Sequence, residues 1–544
     1  MCGIWAYIGR GDVRAAAAAG AAAAALLARG PEGTQILDLS GATFVFTRLA
    51  INGLNPAGMQ PFQIGGHVFM CNGEIYNARA LAAEIGYVPV SGSDCEVLGA
   101  LWTSCAGDAV AFARALDGVF ALVLKDGDDY VVARDPYGVR PLYWARAASG
   151  EYVFGSERKS LLGFADVQEF PPGEVWILRG GGHAVRSVYH TVPWIKGVSA
   201  DWPTAVRTAL EAAVKKRLLA ERPVAALLSG GLDSSLIAGL VQRLMKPQGR
   251  CLETFSIGMA GSTDLRFAGY VAAWIGSKHH EIVVTADEMF AAIPSVIRAI
   301  ESYDITTVRA SVGNWMVARE VRARSECKVV FNGDGSDEVW GSYLYMGRAP
   351  TGAAFERESE RLLEEIHQYD VLRSDRCVAA HGLEARTPFL DKQFVAVARS
   401  APTGMRRWVS ESGGGGRSQV EKQLLRDAFA QTGILPGDVV WRKKEAFSDG
   451  VSGTERSWFE EIQARVLDLV PADWETQAER WTPRPQTAEA YWYRSLYEEY
   501  YGSVAKPWPY WMPRWSPETK DPSARTLAPA SSAPASSALG LQAL

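Results

Sequence analysis

A cysteine follows the initiator methionine in "MCGIWAYIGR", and an apolar, β-like run stands behind it. Removal of Met1 would make Cys2 the first residue, with a free α-amino group on the same carbon skeleton as its thiol. That amine titrates at roughly 8, close to a thiol, so it is a base within reach of its own nucleophile. The competing reading is that position two is arbitrary.

A second chemical signal is "LLSGGLDSS" (Leu227–Ser235), a strand-to-helix turn rich in glycine and serine. Gly230 and Gly231 permit a sharp turn that brings backbone N–H groups to an anion. Ser229, Ser234 and Ser235 add hydroxyls, and the following helix contributes its positive end. No lysine follows the glycines as it does in a GxxxxGK[ST] loop. Asp233 stands there instead, and an acid beside phosphates implies a bridging Mg²⁺. Such a loop suits pyrophosphate as a leaving group. Further on, "FNGDGSDE" (Phe331–Glu338) ends another strand-like run, and "WRKKEAFSDG" (Trp441–Gly450) offers Lys443 and Lys444 as cations for a developing phosphorus centre. Against these stand plain alternatives: a helix-capping turn, a solvated acidic turn and exposed lysines.

The elements that must carry these groups fall into two regimes. Up to about residue 190 the chain reads as short strands, among them "ATFVFTRLAI", "HVFMCNGEIY", "GVFALVLKD", "YVVARD" and "EYVFGSE". Helices are expected around Arg14–Ala28 and Asn77–Ile85, giving strands packed face to face with helices outside. From about Trp202 strands and helices alternate, which indicates a parallel sheet covered on both faces. The strands "PVAALLS", "LETFSIGM", "HHEIVVT" and "CKVVFNGDG" carry that alternation. After about 355 the pattern is mostly helical. "SESGGGGRS" (Ser410–Ser418) reads as a flexible loop, and 528–544 as a disordered, low-complexity tail.

The 544 residues exceed one ordinary core, and 48% hydrophobic and 22% charged residues with a net charge of −5 describe a globular chain without a basic surface for nucleic acid. Seven cysteines at irregular spacing form neither a disulfide framework nor a CxxC pair, which fits a reducing, cytoplasmic setting. The alanine run Val13–Gly30 is too weakly hydrophobic for a signal or membrane span and is read as a helix.

The strings "SGGLDSS", "TFSIGM", "YDITTVRASVG", "AAHGLEARTPFLD", "EKQLLRDAF", "KEAFSDG" and "DPSARTL" resemble the synthetase half of the glutamine-dependent asparagine synthetase family. "MCGIWA", "RLAI", "MQP", "CNGEIYN" and "GVRPL" resemble its glutaminase half, a class II glutamine amidotransferase. The likeness runs in order from Cys2 to about Leu527. It implies a two-domain α/β and α+β molecule: an Ntn-hydrolase-like αββα sandwich over 1–190, then an ATP-pyrophosphatase-type domain over 202–527 with a helical extension. In this reading Cys2 attacks glutamine, and Asn72 and Gly73 form the oxyanion hole. Glu74 and Asp94 receive the α-amino group, and Arg48, within Arg48, Leu49, Ala50, Ile51 and Asn52, receives the α-carboxylate. ATP is held by Leu228, Ser229, Gly230, Gly231, Asp233, Ser234, Ser235, Ile257, Asn332 and Gly333, with Mg²⁺ on Asp233 and Asp337. Lys444 contacts the α-phosphate, and Asp334 assists the use of the adenylate. The implied reaction joins L-aspartate to ammonia from L-glutamine through β-aspartyl-AMP, with the ammonia channelled between sites. A homodimer is implied as well, while charge and hydropathy point to neither membrane nor nucleic-acid partners.

Three departures stand out. The family reads S-G-E-G-S-D-E where this chain has "NGDGSDE", so Asp334 replaces a glutamate and Asn332 a serine. "RLAING" replaces R-L-[AS]-[IV]-V-D, which bears on glutamine affinity, and "ARGPEG" replaces H-R-G-P-D. The alternatives are an AMP-forming amide synthetase with another carboxylate substrate, and a catalytically impaired regulatory paralogue.

Overall fold

The structure is a computed structural model that describes residues 1–9, 13–147, 149–192, 199–408, 420–445, 447–453, 456–503, 507–517 and 519–522. The glycine-rich stretch Ser410–Ser418 and the tail 528–544 lie outside the described residues.

The first half is built from two six-stranded antiparallel sheets. Strand Gly3–Ile8 lies inside the first, paired with Ala42–Arg48 on one side and Tyr152–Gly155 on the other. In the second, His67–Ile75 pairs with Gly118–Asp126, which pairs with Asp129–Arg134. Side chains alternate across each strand. Ile4, Ala6 and Ile8 enter the core between the sheets, with Phe44, Phe46, Val123 and Trp176. Trp5 and Tyr7 point to the opposite face and meet the alanine helix Val13–Leu26. That helix lays Ala15, Ala19, Ala22 and Leu26 on the sheet, a spacing of four, three and four that makes one helical face. The sequence reading placed this helix within two residues at each end. Two helices it lacked, Val97–Ser104 and Ala109–Ala115, cover the outer face of the second sheet beside Ala78–Glu84. Helices of eight and seven residues are set by packing rather than by local preference, so their sequence signal is weak. The layers are helix, sheet, sheet, helix, as expected.

The second half contains a five-stranded parallel sheet in the order Lys278–Val283, Glu253–Gly258, Val224–Leu227, Val329–Phe331, Glu384–Arg386. From Val224–Leu227 the chain first builds outward to one side and later returns to the other. The strand order therefore reverses between Val224–Leu227 and Val329–Phe331, and ligands bind in the crevice at such a reversal. The chain beyond 355 is mostly helical, as read, but it also returns the three-residue strand Glu384–Arg386 to the sheet. Three residues carry no periodicity to read. No helix among the described residues is long and apolar enough to cross a membrane.

Candidate active sites

The first site lies where strands Ala42–Arg48 and His67–Ile75 end beside Cys2. Cys2, Arg48, Leu49, Ala50, Ile51, Asn52, Gly73, Glu74 and Asp94 line one small cavity. The Cys2 Sγ accepts the Leu49 N–H at 3.4 Å and lies 3.5 Å from the Leu49 carbonyl oxygen. Burial pushes the thiol up to about 11, so at neutral pH it needs a base to become a nucleophile. Asn72 is fully buried behind the cavity, and neither its amide nitrogen nor its amide oxygen has a partner. An unsatisfied buried amide is costly, and Asn72 does not itself line the cavity.

Opposite the thiol, Glu74 accepts from Asn52 Nδ2 at 2.7 Å and lies 3.3 Å from an Arg386 guanidinium nitrogen. Burial and the neighbouring Asp94 push the Glu74 carboxyl well above the carboxylate range. Burial, with a smaller push from Glu384, outweighs the Ile75 N–H that Asp94 accepts at 2.6 Å and raises the carboxyl to about 6. Two acids under this strain are a receptor for a cation. Arg48 donates to the carbonyl oxygens of Asn55 and Gly53. Carbonyls orient the guanidinium without neutralising it, which leaves its charge for a carboxylate.

The structure adds a wall that the sequence reading lacked. Glu384, from the returning strand of the second domain, lines the same cavity. It holds Arg386 at 2.6 Å and lies 3.6 Å from Arg140 of the first domain. Met1 sits in the crevice between the domains, fully buried. Its ammonium donates to the Leu383 carbonyl at 3.1 Å, and its sulfur accepts from Arg140 at 2.9 Å.

The second site opens at the strand-order reversal. Leu228, Ser229, Gly231, Asp233, Ser234, Ile257, Asn332, Gly333, Asp334, Asp337 and Lys444 all line one cleft. The helix Leu232–Met245 starts there and aims its N-terminus into the turn. Ser229 and Ser234 hydroxyls lie 2.9 Å apart, and the Ser229 hydroxyl accepts from the Gly231 N–H at 3.3 Å. Gly230 and Ser235 lie behind the cleft rather than on it. Gly230 has φ +72°, and a Cβ there would come within 2.4 Å of Phe267, so its role is to let the turn form against the helix Thr263–Ile275. Ser235 is fully buried. At Gly333 a Cβ would meet the Ser234 nitrogen at 2.8 Å and the Asp233 Cβ at 2.9 Å. The glycine-serine turn and the acidic turn therefore touch, as Ser336 Oγ donating to Asp233 at 2.7 Å also records.

Lys422, a residue outside the sequence expectation, joins the two acids. Its buried ammonium lies 2.5 Å from Asp233 and 2.6 Å from Asp337, and Lys444 also pairs with Asp337. Burial would raise the Asp337 carboxyl, but Lys422 and Lys444 outweigh it and hold it well below the carboxylate range. The signal was present in "EKQLLRDAF", but no spacing ties position 422 to 233. Asp334 places one oxygen 2.9 Å from Arg373, and its other oxygen is buried without a partner. Burial pushes this carboxyl up, against the pull of Arg373. Asn332 donates to Ser374 Oγ at 2.6 Å and accepts from the Asp334 N–H at 3.3 Å, so it shapes the acidic turn.

Together the fold and the two cavities define an amidotransferase-type molecule: a thiol site for an amide donor and a nucleotide cleft for activating an acceptor, in one chain. The comparisons narrow the class. The glutamine amidotransferase domain model matches residues 1–183, and the asparagine synthase model matches 205–356 and 348–521. The chain is 39% identical over 97% of its length to the asparagine synthetase [glutamine-hydrolyzing] of Gallus gallus, covering 98% of that protein. It is 38% identical to that of Cricetulus griseus and 39% identical to that of Homo sapiens, again over 97% of this chain and 98% of each relative. The chain belongs to the asparagine synthase family.

Proposed function

We propose that this chain makes L-asparagine from L-aspartate, L-glutamine and ATP, releasing AMP, pyrophosphate and L-glutamate. The observation that carries the reading is the strand Glu384–Arg386, which belongs to the nucleotide-binding sheet and also closes the cavity around Cys2. Through Glu384 the sheet that carries the nucleotide cleft reaches the Cys2 cavity, which suits a reaction in which one site consumes what the other releases.

In this reading Met1 is removed and the α-amine of Cys2 takes the thiol proton. The sulfur attacks the side-chain amide carbon of glutamine, and the Asn72 amide and Gly73 receive the oxyanion as charge develops. Ammonia leaves, and water then cleaves the thioester to glutamate. Glu74 and Asp94 hold the α-ammonium, and Arg48 holds the α-carboxylate. In the cleft, the aspartate β-carboxylate attacks the α-phosphorus and pyrophosphate departs onto the Ser229–Ser235 turn. Lys422 and Lys444 offset the charge that collects there. Ammonia next attacks the acyl carbon and displaces AMP, with Asp334 accepting a proton. In this reading ammonia leaves through the space that Met1 vacates, along the apolar side chains Leu383, Val330 and Ile257 that pack in its cluster.

Mg²⁺ fits the cleft as a companion of the nucleotide. Asp233 and Asp337 share one lysine ammonium and so lie close enough to share one cation, whereas no group of three or more metal-ligating side chains occurs among the described residues. Two carboxylates plus substrate phosphates are a normal Mg²⁺ environment. Bound there, the ion would neutralise phosphate charge. A homodimer in the cytoplasm completes the reading, and sedimentation of the purified chain checks the dimer.

The deciding experiment supplies all three substrates and identifies the products. Asparagine, AMP and pyrophosphate are expected; ADP with orthophosphate overturns the reading. Cys2→Ala should lose glutamine-dependent synthesis and keep synthesis from ammonia. Loss of both together would show that the division of labour is wrong.

A further inference from the structure

The loop that carries Leu49, Ala50, Ile51 and Asn52 forms one wall of the Cys2 cavity. Its outward face is held by a dipeptide of the other domain. Glu221 Oε1 accepts the Gly53 N–H at 2.8 Å, and the Glu221 N–H donates to the Ile51 carbonyl at 3.0 Å. Arg222 Nε donates to the Ala50 carbonyl at 3.0 Å. Its Nη2 lies 3.0 Å from Glu32, whose other oxygen accepts the Ala50 N–H at 2.8 Å. Across Ala50–Gly53, four backbone polar groups are therefore fixed from outside, three of them directly by Glu221 and Arg222.

Neither Glu221 nor Arg222 lines the cavity or touches Cys2. They end the turn after helix Trp202–Lys216, and Pro223 alone separates them from strand Val224–Leu227, which leads into the nucleotide turn. We infer that Glu221 and Arg222 are positioning residues for amide-donor binding, setting the glutamine-facing loop from the synthetase side. The inference rests on the reading that this loop holds glutamine. The physical reason is leverage. Asn52 Nδ2 holds Glu74, so a loop free to shift misplaces the α-ammonium receptor and weakens binding. A hydrogen bond to a charged group is worth more than one between neutral groups. Solvent reduces that here, because Arg222 and Glu32 are each about 30% exposed.

The test compares full-length wild type with Glu221→Ala, Arg222→Ala and Glu221→Gln. Glutamate release is followed against glutamine concentration, and ammonia-dependent pyrophosphate release is followed in parallel. Both alanine variants should raise the glutamine KM about three- to tenfold, with kcat and ammonia-dependent synthesis within twofold of wild type. Glu221→Gln keeps an acceptor for Gly53 and should stay near the wild-type KM. Unchanged glutamine KM in both alanine variants overturns the inference, as does an equal loss of ammonia-dependent synthesis, which would mark a purely structural role. A wild type that binds ATP yet releases no glutamate instead overturns the reading of the site, so the two failures are distinct.

Discussion

At the scale of single residues, charge placement decides what each group can do. Asp334 stands where the family has glutamate, and its oxygens divide: one lies against Arg373, and the other is buried and unpartnered. In the proposed reaction that second oxygen takes a proton from ammonia. Asp334→Asn should therefore lower asparagine formation about 10²-fold or more, while Asp334→Glu, which keeps the carboxylate, should stay within about tenfold of wild type. Product assays on the two variants separate the carboxylate's chemistry from its reach. Asp94 makes a pH prediction. Burial raises it to about 6, and only the ionised form attracts an ammonium. The kcat/KM for glutamine, which reports the free enzyme, should fall as pH drops through about 6. Asp94→Asn should give a lower value with no inflection there.

At the scale of elements, glycines decide how closely two turns approach. The phosphate turn and the acidic turn come from neighbouring strands of a parallel sheet, and they meet at Gly333, where a Cβ has no room. Gly333→Ala must push Asp233 away from Asp334 and Asp337 by a fraction of an ångström. Displacements of about 1 Å at a reacting centre cost roughly 10²-fold, so ATP-dependent synthesis should fall by up to that factor while glutamate release from glutamine persists. Measuring pyrophosphate and glutamate from the same preparation checks this. An equal loss of both would mean that the substitution disturbs the fold as a whole.

At the scale of the molecule, the domains are joined by buried charge. Arg29 of the first domain lies 2.7 Å from Asp375 of the second, and Arg376 of the second lies 3.0 Å from Glu157 of the first. Glu169 of the first domain meets His367 of the second at 2.6 Å. Burial would raise the Glu169 carboxyl, but His367 and Arg134 outweigh it and lower it from 4.5 to about 2. A depressed carboxylate contributes stability that is fully present above its unfolded value and is lost as pH falls toward its folded value. The melting temperature should therefore drop between pH 4.5 and about 2 more steeply for wild type than for Glu169→Gln. Calorimetry across that window checks it, and parallel slopes would remove Glu169 from the interface.

Local chemistry determined much of this protein before any fold was drawn. The thiol beside the chain start, the glycine-serine turn at 229–235, the acids at 334 and 337, and most strand and helix positions were all legible, because each depends on residues adjacent in sequence. Tertiary structure alone decided that Lys422 bridges Asp233 and Asp337, that Gly230 and Ser235 sit behind the cleft, and that Glu384, held by Arg386, walls the Cys2 cavity. It also placed Met1 between the domains and Glu221 and Arg222 behind the loop that carries Ala50 and Gly53. Those contacts join residues dozens to hundreds of positions apart, and they arise from packing one sheet's edge against another domain. No period or spacing along the chain encodes such an encounter; it exists only once both cores have formed.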